Sequence, residues 1–112
     1  MELTKGIMTT PGSVLYEVTL QVEPARVGAV EEYMRRHHIP AILRSGCFRD
    51  IRFDRASPGR FRTCYHAESP AELERYLRDH APKLRAEFQA EFPGGVTLTR
   101  ETWTPREAWE RP

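Results

Sequence analysis

The chain has 112 residues, a length typical of one domain. Its net charge of +1 gives no overall electrostatic attraction to nucleic acid or to anionic membranes. It has no apolar run long enough for a secretory signal or a membrane span, and its two cysteines are typical of free thiols in a reducing compartment. The sequence therefore predicts a cytoplasmic protein.

Short segments flank the regular elements at both ends. Residues 1–13 are polar and contain Gly6 and Pro11, so we expect a flexible N-terminal extension. Residues 105–112 form a short C-terminal tail that carries Trp109. The domain itself is predicted to span residues 14–104.

The first strand and the first helix follow from periodicity and from one proline. Residues 14–22 alternate between apolar and other side chains, which predicts a half-buried strand. Pro24 can start the following helix. Pro40 is poorly tolerated inside a helix, so this helix is expected to end near His38 and to restart as a short helix through Ser45.

The next two strands form a predicted hairpin. Residues 47–55 and 60–68 alternate again around a turn rich in proline and glycine. The alternation directs Cys47 toward the core and directs Phe48 and Cys64 away from it. A disulfide between the two cysteines is therefore excluded by direction.

A second helix and a fourth strand complete the pattern. Ser69 and Pro70 form a typical helix start, and an apolar stripe continues through Pro82. Residues 96–104 then form the last strand. The order βαββαβ predicts an α+β, ferredoxin-like fold, with a four-stranded antiparallel sheet and two broken helices on one face.

The other face of the sheet, called here the open face, is expected to lack helices. The side chains predicted to lie on it are Leu15, Glu17, Phe48, Asp50, Arg52, Arg62, His66, Glu101 and Trp103. Large apolar groups on an uncovered face usually mark an interaction surface. We therefore expect a homodimer that forms through the open face.

Two similar motifs mark the breaks in the helices. The first is His38-Ile39-Pro40, followed by Ser45-Gly46-Cys47-Phe48, and the second is His80-Ala81-Pro82-x-Leu84-Arg85. Over residues 14–102 the chain resembles a bacterial family known only as a domain of unknown function. The resemblance implies a subunit of the dimeric α+β barrel type, in which two sheets pack face to face. It implies no established activity.

The wider dimeric α+β barrel group includes cofactor-free monooxygenases, small isomerases, haem-degrading enzymes and ligand-binding proteins. Many of them have a pocket between the helices and the sheet. By this fold-level analogy, Tyr16, His38, Tyr76 and His80 are the candidate ligand-binding residues here.

His80 is the first candidate for catalysis, because it lies on the inner stripe of the second helix. It could act as a general base or bind haem. The structural alternative is that it hydrogen-bonds the carbonyl groups freed by Pro82 and stabilises the helix end. His38 lies beside a similar break, which favours an architectural role for both.

His38 and Cys47 are the remaining catalytic candidates. Cys47 could be a nucleophile with His38 as its base, or simply a small buried side chain. No third residue is available to orient the base. His37 and His38 are neighbours and point about a quarter-turn apart, which is poor spacing for shared metal ligands. The sequence predicts no metal site and no cofactor.

Arginines cluster on the predicted hairpin, at Arg49, Arg52, Arg55, Arg60 and Arg62. They could bind nucleic acid, but the third strand lacks aromatic side chains on its open face. Nearby acidic residues can pair with these arginines instead.

Three hypotheses for function remain. The first is a small-molecule binding protein, and the second is an enzyme of the dimeric-barrel type with His80, His38 or Cys47 in its chemistry. The third is a nucleic-acid-binding module that uses the hairpin arginines.

Overall fold

The computed structural model describes residues 6–7 and 12–112. The strands are β1 (Gly6–Ile7), β2 (Val14–Val22), β3 (Asp50–Ser57), β4 (Arg60–Ala67), β5 (Val96–Trp103) and β6 (Ala108–Trp109). The helices are α1 (Val27–Tyr33), α2 (Ile39–Arg44), α3 (Pro70–Asp79) and α4 (Ala81–Glu91). A 3-10 turn at Pro24–Arg26 precedes α1, and a π-helical turn at Met34–His38 joins α1 to α2. Among the described residues, no helix is long and apolar enough to cross a membrane.

The main sheet has the order β3-β4-β2-β5, and all its neighbouring strands are antiparallel. The central strand β2 pairs with β4 and β5, which are distant from it in sequence. Each helical segment therefore connects strands that are separated by another strand in the sheet, while β3 and β4 form a hairpin. This arrangement confirms the predicted ferredoxin-like fold.

The core lies between the helices and one face of the sheet, called here the helix face. The alternation in β2 places Tyr16 and Leu20 on this face, where they are 6% and 1% exposed. Phe61 of β4 stacks on Phe53 of β3, with ring centroids 5.4 Å apart. The period-2 pattern in the sequence thus correctly predicted the inward side chains of β2 and β4.

The first helical segment contains a π-helical turn where a break was predicted. The N–H of Ile39 donates to the carbonyl of Met34, five residues earlier. Pro40 has no N–H, and its ring would clash with a carbonyl of a regular α-helix. The wider turn accommodates this proline, so the chain stays helical through Arg44 instead of ending near His38.

The second break differs from the first. His80 has φ −123°, and its N–H donates to the carbonyl of Tyr76 at 2.9 Å, which closes α3. Helix α4 starts at the next residue, with Pro82 in its first turn. A single non-helical residue therefore separates the two helices, and the apolar stripe continues from one to the other.

The prediction that Phe48 lies on the open face is wrong. Strand β3 begins only at Asp50, so Phe48 belongs to the preceding loop, and strand alternation does not apply to it. It is 6% exposed, and its ring lies 5.3 Å from that of Tyr65 and 4.9 Å from that of Tyr76. The turn before it is closed by Gly46, whose φ of 75° is left-handed as expected.

The two ends of the chain meet in a small second sheet. Gly6 pairs with Trp109 and Ile7 pairs with Ala108, in antiparallel orientation. The flexible extension predicted for residues 1–13 otherwise falls mostly on residues outside the described part of the chain. Within the predicted tail, the side chain of Trp109 is 65% exposed.

Candidate functional site

A cleft opens between the helices and the helix face of the sheet, with a volume of about 90 Å³. This space holds several water molecules. Apolar side chains form one part of its lining: Val18, Leu20, Met34, Phe88 and Leu98. Polar and aromatic side chains form the rest: Tyr16, His38, Tyr65, Tyr76, Arg85, Gln89 and Arg100. The cleft therefore offers an apolar wall and several hydrogen-bonding groups to one occupant.

Three tyrosines from two strands and a helix meet at this cleft. The rings of Tyr16 and Tyr65 lie side by side, with centroids 5.9 Å apart. Burial raises the pKa of Tyr65 well above its ordinary value and raises the pKa of Tyr76 to about 12. Both phenols are therefore protonated at neutral pH and can donate hydrogen bonds to an occupant.

His38 reaches the cleft because the π-helical turn ends at this residue. Burial lowers the pKa of its imidazole to about 4. The ring lies against Phe88, with centroids 5.4 Å apart, and is stacked with Tyr33 at 6.2 Å. Its neighbour His37 is exposed, so His38 lines the cleft while His37 faces solvent. At neutral pH the His38 ring is uncharged and has one nitrogen free of a proton, which can accept one.

Two arginines complete the polar lining. The Arg85 guanidinium of α4 donates a hydrogen bond to the Tyr16 hydroxyl oxygen at 2.8 Å. Arg100 of β5 pairs with Val18 and so belongs to the helix face of the sheet. Among the described residues that line the cleft there is no aspartate or glutamate.

Neither arginine was predicted from the sequence as a site residue. Arg100 follows Val96 and Leu98 at alternate positions of one strand, so the same pattern that predicted inward residues also covered it. Arg100 stays exposed at this position, because β5 is an edge strand of the sheet. Arg85 stands inside the second motif, directly after Leu84.

Three of the four predicted ligand-binding residues, Tyr16, His38 and Tyr76, line the cleft together. His80 does not line it in the described structure. Its ring stacks on Tyr76, with centroids 6.4 Å apart, and borders a separate groove between α2 and α4. The break before Pro82 places His80 at the junction of the helices, one side chain away from the cleft.

Cys47 is 2% exposed and is packed in the core near Ile42. Its Sγ atom lies 3.9 Å from the carbonyl oxygen of Ser45, and it does not line the cleft with His38 in the described structure. The Ser45 hydroxyl donates to the Ile42 carbonyl at 2.6 Å and accepts from the Cys47 N–H, so Ser45 stabilises this turn. Within residues 12–112, no group of three or more histidine, cysteine, aspartate or glutamate side chains is arranged to hold a metal.

The open face consists of rows of side chains that the strand register brings together. One row crosses the sheet from Trp103 through Leu15 and His66 to Asp50, and the next contains Glu101, Glu17, Cys64 and Arg52. Trp103 is 49% exposed, whereas His66 is 8% exposed. Its Nδ1 atom lies 2.8 Å from an Arg49 nitrogen and 3.5 Å from Asp50. The open face is thus charged, with an apolar pair, Leu15 and Trp103, at one end.

Two of the hairpin arginines are paired with carboxylates. Arg62 pairs with Asp54 at 3.1 Å and Arg49 pairs with Asp50 at 3.2 Å. Arg55, Arg60 and Arg62 line one shallow groove, together with Asp54 and Glu17. Nucleic-acid binding by these residues stays a prediction.

The architecture defines the class of this protein. A ferredoxin-like subunit with one uncovered sheet face is the fold of the dimeric α+β barrel group. The chain superposes on SnoaB, a cofactor-independent oxygenase from Streptomyces nogalater, with a TM-score of 0.65 and 15% sequence identity, over 87% of this chain and 96% of that one. It also superposes on an ethd family protein from Bacillus halodurans, with a TM-score of 0.62 and 16% identity, over 79% and 96%. At these identities the likeness shows the fold alone.

The family follows from the sequence. The chain belongs to the family of the domain of unknown function DUF4286, whose model matches residues 13–104. This confirms the resemblance that was based on the two motifs. Another similar structure, a protein of unknown function from Nitrosomonas europaea, has a TM-score of 0.65 and 12% identity, over 93% of this chain and 98% of that one. No curated protein matches the sequence significantly.

Proposed function

We propose that this protein binds a small organic molecule in the cleft between its helices and its sheet. The observation that carries the proposal is the composition of the cleft. Leu20, Met34 and Phe88 form an apolar wall, while Tyr76 and His38 present hydrogen-bonding groups to the same space. Small-molecule sites typically combine an apolar lining with a few convergent polar groups.

A ligand screen with a blocked variant tests this proposal. Ligand-observed NMR with a library of small aromatic and aliphatic acids, amides and alcohols should give compounds that bind the wild type. Leu98→Trp places a large ring in the cleft and should abolish their binding. Leu43→Trp is the matched control, because Leu43 is 49% exposed and lies outside the cleft.

Two results would contradict the proposal. One is a screen in which no compound of any class binds the folded wild type. The other is binding that Leu98→Trp leaves unchanged while circular dichroism shows the variant to be folded.

We further propose that the protein is a homodimer whose subunits pack through the open face. Leu15 and Trp103 lie side by side on that face, and the fold is that of a group in which two sheets pack together. Because Cys47 and Cys64 are free thiols, a reducing compartment such as the cytoplasm suits the protein. Light scattering behind a sizing column should give twice the chain mass of 13.0 kDa, and a monomer at all concentrations would refute the dimer.

A second candidate function is oxygenation without a cofactor. It is favoured by His38, an uncharged imidazole in a partly apolar cleft, and SnoaB is an oxygenase that needs no cofactor on a similar fold. His38 would remove a proton from a phenolic or enolisable substrate, and the resulting anion would reduce molecular oxygen. Oxygen consumption with such substrates, lost in His38→Gln and retained in His37→Gln, would support it, and no consumption with any substrate that binds would refute it.

The haem version of the enzyme hypothesis depends on His80. This residue borders a groove outside the cleft, next to Lys83 and Ser45. A shift of the haem Soret band on titration, abolished in His80→Ala, would support haem binding there, and an unshifted band would exclude it.

A further inference from the structure

The charge of the cleft points to the kind of molecule that it binds. Arg85 and Arg100 bring two positive charges to its lining, and no carboxylate among the described lining residues compensates them. His38 adds no charge at neutral pH, because burial keeps its imidazole unprotonated. An empty cleft of this composition carries a surplus of positive charge beside an apolar wall, and an anion would neutralise it.

Within the described residues, Arg85 contacts a neutral group and forms no ion pair with an acid. Its contact is one hydrogen bond of 2.8 Å to the Tyr16 hydroxyl, which leaves further guanidinium N–H donors for another acceptor. Elsewhere in this chain arginines are paired with carboxylates, such as Arg75 with Glu72 at 2.7 Å and Arg62 with Asp54 at 3.1 Å. The guanidinium at the cleft is thus oriented without its charge being compensated.

Arg100 is close enough to the cleft tyrosines for its charge to act on them. It opposes the increase in the pKa of both Tyr65 and Tyr76. Its side chain is exposed, and within the described part of the chain it makes no ion pair. Arg100 and Arg85 therefore stand at the mouth of the cleft, while the apolar lining and the phenols lie deeper.

We infer that the ligand is a planar aromatic anion, whose ring enters the cleft against Phe88 and whose negative group lies between Arg85 and Arg100. This inference rests on the proposed function and names the chemical class of the ligand. Guanidinium groups bind carboxylates with paired, charge-assisted hydrogen bonds. The Tyr76 hydroxyl, protonated at neutral pH, can donate to a polar substituent at the far end of the ring.

Two probes of the same shape separate the contribution of the ligand's charge to binding from the contribution of its shape. 4-Hydroxybenzoate and 4-hydroxybenzamide differ in charge but hardly in size, and acetate supplies the anion without the ring. We expect the benzoate to bind at least about tenfold more tightly than the benzamide, as charge-assisted hydrogen bonds allow. Acetate should not compete at the same concentration. Chemical-shift titration of the labelled protein measures all three.

Two variants locate the anion. Arg85→Gln and Arg100→Gln should each weaken benzoate binding about tenfold and benzamide binding much less, because the charge-assisted contact is made only with the carboxylate. Both residues are exposed, so the fold should survive either change. Arg35→Gln is the control, since Arg35 is an exposed arginine outside the cleft.

The outcomes distinguish this inference from the proposal on which it rests. If benzamide binds as tightly as benzoate, or if neither glutamine variant weakens the benzoate, the inference is overturned while the cleft remains a binding site. If neither probe binds, the inference is also overturned, and the proposed function then depends on the broader screen with Leu98→Trp. Tenfold selectivity that both variants remove supports it.

Discussion

The two faces of the central sheet are made by the same four strands but differ in nearly every physical property. On β4, Phe61 faces the helices and is 1% exposed, while the next residue, Arg62, lies on the open face in a solvent-accessible ion pair with Asp54. The helix face supplies the hydrophobic core that holds the subunit together. The open face supplies charges in register and an apolar end. The helix face thus serves folding, the open face is free for the proposed dimer, and the cleft lies where the helix layer does not close over the core.

The largest expected effect is the loss of stability when a buried residue of β4 is replaced by alanine, compared with the same change at its exposed neighbour. Phe61→Ala leaves a cavity against Phe53 and should lower the free energy of unfolding by about 3–5 kcal/mol. Arg62→Ala is the matched control and should change stability little, because surface ion pairs contribute little. Urea unfolding of both variants at one protein concentration measures the difference. Similar losses of stability in both variants would contradict the assignment of Phe61 to the core and of Arg62 to the exposed face.

A smaller loss of stability should appear on acidification. It is expected to come from His38, which lines the cleft. The pKa of His38 is lowered from its ordinary 6.5 to about 4 in the folded chain. Between these pH values the unfolded chain binds more protons, so acidification from pH 7 to pH 4 should lower stability by up to about 3 kcal/mol. Above about pH 7.5 this group should contribute no further change, because the imidazole is then unprotonated in both states.

The variant His38→Gln isolates this effect from the titration of carboxylates. The difference between the unfolding curves of wild type and variant, measured at steps between pH 4 and pH 7.5, should show the slope. A wild-type slope that persists unchanged in the variant would assign the pH dependence to other groups.

On the open face, Leu15→Arg tests assembly without touching the core. In the proposed dimer, a charged side chain beside Trp103 would be desolvated without a partner of opposite charge. The dissociation constant of the dimer should therefore rise about 100-fold. Leu43→Arg is the control, because Leu43 is exposed and lies in α2, outside the sheet. Sedimentation equilibrium measures both. Unchanged association in Leu15→Arg would place the interface on another surface.

The smallest effect concerns the two thiols. Cys64 lies on the open face and is half-buried, whereas Cys47 is buried in the core. Burial and the nearby Glu17 raise the pKa of Cys64, so alkylation by iodoacetamide should be slow near neutral pH. If the proposed dimer covers the open face, Leu15→Arg should accelerate alkylation of Cys64 a few-fold by separating the subunits, and Cys47 should react only in denaturant. Rapid native-state alkylation of Cys47, seen by mass spectrometry, would contradict its burial in the core.

The sequence predicted most of the fold because strand alternation is a local property. The inward positions of β2 and β4, the hairpin and the cap at Ser69 follow from residue order alone, and Ser69 accepts from the Glu72 N–H at 3.2 Å as the capping pattern indicates. Phe48 was placed on the wrong face, since alternation cannot show where a strand begins. The rows across the open face depend on register, which only the folded chain shows.

The site was predicted less well than the fold. The motifs around His38 and His80 look alike, yet a π-helical turn puts His38 in the cleft, and a non-helical residue puts His80 outside the cleft lining. A proline predicts an irregularity but not its geometry. Arg100 was not predicted as a site residue, because strand alternation shows which face of the sheet it shares but not where the helices leave that face uncovered.

Because of the π-helical turn, the site also depends on the number of residues in the first helical segment. Such a turn holds one residue more than the α-helical turn it replaces. If one residue of this turn were deleted, a regular α-helix could replace it, and the later side chains would keep nearly the same orientation relative to α1. The change would be confined to residues 34–38, which include His38 in the cleft, and Pro40 would lose the wider turn that accommodates it. A gap of one position here, in any alignment with a related chain, therefore indicates a change in this wall of the cleft while α1 and α2 keep their faces.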